Sequence, residues 1–195
     1  LDVDINYTVR VNFAALVDLV NAVDGIDVYS DYEFKSSISH WTYTKGWNYL
    51  TGHSALYFAR ERKSFVDGDM QRNKQQQIVL EALIKKISNS KVLLTRYTKI
   101  LNAVGDNMRT DMTNRDLKKL VKMQAKDMSS WEIKKANIVG STGGAPSYCM
   151  GNRELSVVFP SDESVNNAKE MIHDVMYPVQ NTEKSEKSTT QNKGE

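Results

Sequence analysis

Residues Leu1–Ser30 read LDVDINYTVRVNFAALVDLVNAVDGIDVYS, and this stretch decides the fold class. Leu1, Val3, Ile5, Tyr7, Val9 and Val11 alternate with polar residues, the period-two pattern of a strand with one buried face. At Asn12 the pattern changes. FAALVDLVNAV spaces its apolar residues at helical intervals, Asn12 can cap the first turn, and Gly25 supplies a stop. GIDVYS then returns to alternation. Strand, helix and strand in succession predict an α/β protein, a sheet with helices packed on it. Because the chain opens inside a strand, it reads as a fragment with a segment missing upstream.

Outward from this stretch, elements keep alternating. A polar, aromatic-dotted segment covers 31–50. Thr51 and Gly52 open a short helix over HSALYFAR, and the break ERKSFVDGD precedes the longest helical pattern, from Asp69 to Ser88. A helix is expected over VLLTRYTKILNAV, and another after Thr113 or Asn114 carrying Leu117, Leu120, Val121 and Met123. WEIKKANIVG and ELSVVFP read as strands joined by the loop STGGAPSYCMGN. A helix capped by Ser161, with Asp162 and Glu163 in its first turn, closes the domain near Met176. The organisation expected is one domain over 1–176 and a polar, disordered tail over 177–195.

Composition narrows the function classes. The 195 residues hold 26 Lys plus Arg against 24 Asp plus Glu, a net charge of +2, which is poor support for a nucleic-acid partner held by bulk charge. One cysteine, Cys149, excludes an intramolecular disulfide framework and a cysteine zinc cluster. His40, His53 and His173 have no metal-ligand spacing. No uncharged apolar run reaches the roughly 18 residues of a membrane span. GHSALYF lacks the second glycine of a nucleophile elbow.

Chemistry concentrates in Ala55–Leu83, ALYFARERKSFVDGDMQRNKQQQIVLEAL. Stepped at 100° per residue, Asp69, Arg72, Gln76, Leu80, Leu83 and Ile87 fall on one stripe, polar for two turns and apolar beyond. Gln75 and Gln77 lie off it. Arg60 and Arg62 end the preceding short helix and can meet Arg72 at the same mouth. Three guanidiniums in one place repel unless an anion sits between them, and arginine pairs two-pronged with phosphate. With a helix N-terminus beside them, they suit a doubly charged oxyanion, pyrophosphate above others. Asp69 fits as an orienter of Arg72 or as an oxygen ligand for Mg²⁺. The bland alternatives are a solvated charge run, or Arg60 as a salt-bridge partner of Asp67 or Asp69.

On these residues the chain resembles the LytR–CpsA–Psr family of bacterial cell-envelope proteins. The resemblance runs through INYTVRVNFAALVDLVNAVDGIDV, KGWNYLTGHSALYFARERK and DGDMQRNKQQQIVLEAL. It implies a mixed β-sheet packed between helices in three layers, incomplete on its N-terminal side. It implies an extracytoplasmic, membrane-anchored phosphotransferase that moves a glycopolymer (teichoic acid or capsular polysaccharide) from an undecaprenyl-pyrophosphate carrier to peptidoglycan. By resemblance, Arg60, Arg62, Arg72 and Gln76 contact the pyrophosphate, Asp69 supports the site, and Mg²⁺ or Mn²⁺ is the cofactor. Val79, Leu83 and Phe58 become candidate lining of an apolar prenyl tunnel, or plain core. The family's metal-binding aspartate and its membrane helix would lie in the missing upstream segment.

Two departures stand out: Gln75 occupies a position where many members carry arginine, and Asp24 one where glycine is common. A second function class is a non-catalytic surface module gripping polyprenyl phosphate or anionic polymer through the same arginines.

Overall fold

The structure, a computed structural model, describes residues 1–178 except 2, 90, 91, 93, 94, 97, 101, 103–106, 128–130 and 152. The chain forms two compact units, Ile5–Ile133 and Leu1–Asp4 with Lys134–Glu195. The expected disordered tail lies outside the described residues from 179 onward.

In the Ile5–Ile133 unit the order is β1 (Val9–Val11), α1 (Phe13–Ala22), β2 (Ile26–Ser30), β3 (Phe34–Lys35), β4 (Thr42–Tyr43), β5 (Gly46–Leu50), α2 (Gly52–Arg60), α3 (Gly68–Ser88), β6 (Met108–Thr110) and α4 (Asn114–Asp127). The expected helix over VLLTRYTKILNAV falls partly on residues outside the described set; 92, 95, 96, 98–100 and 102 are helical. α1 starts where Asn12 predicts, its side chain accepting from the Ala15 N–H at 2.8 Å. The chain leaves α1 through two left-handed residues, Asp24 (φ 66°) and Gly25 (φ 79°), so the aspartate stands at a site that favours glycine.

The α/β class holds. Among the described residues the strands of this unit pair antiparallel as β1 with β6, β2 with β5, and β3 with β4. β2 and β5 pair from Ile26 opposite Leu50 to Ser30 opposite Gly46. Ile26, Val28 and Leu50 turn inward onto α1, α2 and α3, and the period-two pattern of β2 reports this directly. The opening strand departs from expectation. Among the described residues of that stretch only Val9–Val11 is strand, in a three-residue ladder with β6, and Val9 and Val11 are about half exposed.

The core joins α1, β2, β5, α2 and α3 around an aromatic cluster. Phe34 packs on Tyr43 (ring centres 4.8 Å apart), Phe58 (5.5 Å) and Phe65 (4.9 Å). The Tyr43 hydroxyl donates to the Ser54 carbonyl at 2.7 Å, which satisfies its one polar group inside that cluster.

In the Leu1–Asp4 and Lys134–Glu195 unit, β7 (Gly140–Pro146) pairs antiparallel with β8 (Glu154–Pro160), followed by α5 (Asp162–Met176). Here the strand expected over WEIKKANIVG is displaced: β7 takes only its last residue, Gly140, and continues through STGGAP, expected as loop. Its small residues let the backbones approach closely, for a Cβ on Gly140 would stand 1.8 Å from the Phe159 carbonyl oxygen. α5 begins as expected, with Ser161 accepting from the Ser164 N–H at 3.2 Å.

Candidate functional site

α2 ends at Arg60, and residues 61–67 turn the chain into α3. Asp69, in the first turn of α3, holds two arginines at once. Its Oδ2 is 3.0 Å from Arg62 and its Oδ1 is 3.0 Å from Arg72. All three side chains are partly exposed, which leaves guanidinium edges open to a ligand. The Arg72 Nε is enclosed and has no hydrogen-bond partner. An enclosed N–H without an acceptor costs about 1–3 kcal/mol, a cost that a turn of the guanidinium toward an oxyanion would remove.

Beside the triad lies an open hollow of about 550 Å³, lined by Arg62, Lys63, Phe65, Asp67 and the first residues of α3, Asp69 among them; Arg72 is not on its wall. Asp67 caps α3 without a side-chain hydrogen bond. Free N–H groups of the first helical turn therefore add positive potential to that hollow. Lys63 is only part of a charge run in the sequence; the structure sets it on the wall.

The other expected site residues take different places. The Arg60 guanidinium lies 4.6 Å from the centre of the Phe13 ring at the start of α1, and no ion pair joins it to Asp67 or Asp69. Gln76 is exposed, whereas Gln75 is 1 % exposed. The inner face of α3 runs through Gln75, Val79 and Leu83, and Leu80 is 56 % exposed. The buried stripe is thus rotated by roughly 60° from the one read in sequence. The rotation has a cause. With its nitrogen turned toward the two carbonyls it faces, the Gln75 amide donates to Phe58 at 3.3 Å and to Glu61 at 3.2 Å. Val79, Leu83 and Phe58 are packed together in the hydrophobic core.

Glu61 is a further residue that the sequence pattern does not mark. It is fully enclosed, and its carboxylate accepts backbone N–H groups from Ser37, Arg62 and Ser64 at 2.6, 3.0 and 3.1 Å. Burial pushes its pKa up, but the Ser37 donors and then the Ser64 and Arg62 N–H groups outweigh burial and hold it below the usual glutamate value. Burial first, and the Glu61 charge second, raise the Tyr43 hydroxyl well above its ordinary range.

No group of three or more His, Cys, Asp or Glu side chains that could hold a metal ion occurs among the described residues. Asp69 is the acid nearest the arginines, and both its oxygens are already engaged. These residues do not by themselves fit a Mg²⁺ site. No helix among the described residues is long and apolar enough to cross a membrane.

Comparison with known proteins adds four findings. The LytR_cpsA_psr family model matches residues 1–173. A polyisoprenyl-teichoic acid–peptidoglycan teichoic acid transferase TagU of Bacillus cereus is 42% identical over 113 residues, 58% of this chain and 36% of that protein. The TagU of Enterococcus faecalis is 38% identical over 120 residues, 62% of this chain and 39% of that one. The chain therefore spans well under half the length of these relatives. Among solved structures, B. subtilis TagV superposes with a TM-score of 0.67 at 26% identity, covering 88% of this chain and 64% of that one.

Proposed function

The chain belongs to the LytR–CpsA–Psr family, and on that premise we propose that it carries part of the diphosphate cradle of a glycopolymer–peptidoglycan phosphotransferase at the extracytoplasmic face of a bacterial membrane. The curated relatives are named teichoic acid transferases, which supports transfer of a teichoic-acid-type or capsular glycopolymer. A polyprenyl-pyrophosphate carrier is the donor that the arginines suit. The observation that carries this reading is the Arg62–Asp69–Arg72 triad beside the α3 N-terminus, with one enclosed Arg72 donor unpartnered.

In this reading Arg62 and Arg72 grip non-bridging oxygens of the diphosphate and offset charge that grows on the leaving prenyl phosphate. Asp69 holds the Arg72 guanidinium to that of Arg62, which lines the hollow. Arg60, held over the Phe13 ring, and exposed Gln76 have no bond to this triad. Mg²⁺ or Mn²⁺, the cofactor that the family resemblance implies, would need ligands other than these residues.

The test is transfer of glycopolymer from a lipid-pyrophosphate donor to peptidoglycan with Mg²⁺ present, comparing this chain with a full-length family enzyme. The chain is expected to retain donor and turn it over poorly, and Arg62→Ala or Arg72→Ala to lose retention. Retention unchanged in both variants overturns the cradle. The second reading, a non-catalytic binder of polyprenyl phosphate, rests on the same arginine pair, which grips a phosphate whether or not transfer follows. It predicts donor held unchanged whatever the metal supplied.

A further inference from the structure

We infer that Glu61 and Gln75 are positioning residues, which set where Arg62 meets Arg72. The geometry stands by itself; the consequence for ligand binding rests on the proposed cradle.

Glu61 directly follows α2 and precedes Arg62. Its Oε2 accepts from the Ser37 N–H, while Oε1 accepts from the Arg62 and Ser64 N–H groups. The turn that carries Arg62 is thus fastened to the β3–β4 connection, and the Ser64 hydroxyl adds a bond to the Lys35 carbonyl at 2.7 Å. From the other side, Gln75 donates to the Phe58 and Glu61 carbonyls. The Phe58 carbonyl in the last turn of α2 already takes the Glu61 N–H at 3.5 Å, and the Gln75 amide adds a donor there and at the Glu61 carbonyl just past the helix, which ties the end of α2 to α3.

Gln75 lies one turn beyond Arg72 on the same helix, so the bond that buries Gln75 also fixes the rotation of α3 that half-encloses Arg72. Gly68 completes the clamp: a Cβ there would stand 2.4 Å from the Arg62 carbonyl oxygen, so α3 starts in close backbone contact with that turn. One residue, Glu61, is therefore held through its side chain by the loop and through its carbonyl by α3. Asp69 joins the two arginines only where those bonds place them.

The test uses NMR on the whole chain, reading amide exchange at Ser37, Arg62 and Ser64 and side-chain Nε–H relaxation of Arg62 and Arg72. Glu61→Gln keeps one acceptor oxygen, which satisfies most donors when it faces Arg62 and Ser64 and sets the NH₂ against the Ser37 N–H. Ser37 exchange should then quicken by roughly tenfold with the other two amides protected, whereas Glu61→Ala should free all three. Gln75→Met fills the same space without donors and should mobilise the Arg72 guanidinium. Exchange and mobility unchanged across these variants overturn the inference, and Glu61→Gln decides the matter if Glu61→Ala fails to fold.

A titration with geranyl diphosphate separates positioning from plain support. Glu61→Gln and Arg62→Ala should each weaken binding by about fivefold, and the double variant should be no weaker than Arg62→Ala. Additive losses overturn positioning in favour of a merely structural role. No binding by the unaltered chain would count against the proposed function, and the exchange data would still decide this inference.

Discussion

Arg62 and Arg72, from the turn after α2 and the second turn of α3, are joined through opposite oxygens of the single Asp69 carboxylate, each at 3.0 Å. Two guanidiniums so close repel, and the carboxylate cancels that repulsion while leaving a net positive site. The pairs are roughly half exposed, so each contributes under about 1 kcal/mol to stability.

Asp69→Asn is accordingly expected to change unfolding free energy by less than about 1 kcal/mol, with the difference from the parent fading in 1 M salt. Its effect on ligand is predicted to be larger. Without the shared carboxylate the arginines separate, and geranyl diphosphate binding should weaken several-fold despite the gain in positive charge. Calorimetric titration reads this, and tighter binding would show that Asp69 competes with the ligand rather than orienting its donors.

Leu83 is 4 % exposed and packs in the same cluster as Val79 and Phe58. As close-packed core, Leu83→Ala should cost about 2–5 kcal/mol in urea unfolding. A residue lining an open prenyl tunnel would leave no new cavity and would cost far less. A loss below about 1 kcal/mol would therefore restore the tunnel reading for this position.

Glu61 predicts a pH dependence. Its pKa is held below the ordinary glutamate value in the folded chain, against about 4.3 when unfolded. Its contribution is then fully present above the unfolded value and is lost as pH falls through the folded one. The stability gap between the parent and Glu61→Gln should be widest near neutrality and should narrow as pH falls below the unfolded value of about 4.3. Urea midpoints measured across pH 3–7 would check this (roughly the span of a carboxylate titration), and a gap that widens in acid would contradict it.

What can be read in sequence follows the range of the forces involved. Asn12 and Ser161 announce their helices because a cap acts within one turn, and both bonds are present. Arg62, Asp69 and Arg72 are legible as a charge cluster from spacing alone. Gln75 is not, because its partners are carbonyls at and just past the end of another helix. A polar residue at that position moves the whole buried stripe and takes Gln76 to the surface. β7 escapes for a similar reason: a strand of glycines and small residues is recognisable only by the β8 backbone it fits against. Arg60 has its neighbour Phe13 across a distance in sequence that no periodicity spans.

Asp24 allows a test of backbone strain separate from the site. At φ 66° it holds a left-handed conformation, its carbonyl accepts the Tyr49 hydroxyl at 2.7 Å, and its carboxylate pairs with Arg96 at 3.1 Å. The carboxylate is 72% exposed, so the pair is worth under about 1 kcal/mol. Asp24→Asn keeps a side chain that tolerates this conformation and should lose only that increment. Asp24→Gly relieves strain of about 1–2 kcal/mol but adds unfolded-chain entropy and drops the pair, so it should fall within about 0.5 kcal/mol of the parent. Asp24→Val, branched at Cβ, should cost about 2 kcal/mol or more. Gly and Asn near the parent with Val far below, measured by urea unfolding, would mean that the left-handed backbone, more than the Arg96 pair, governs stability at this turn. A Val variant as stable as Asn would mean that the turn after α1 adopts another conformation in solution.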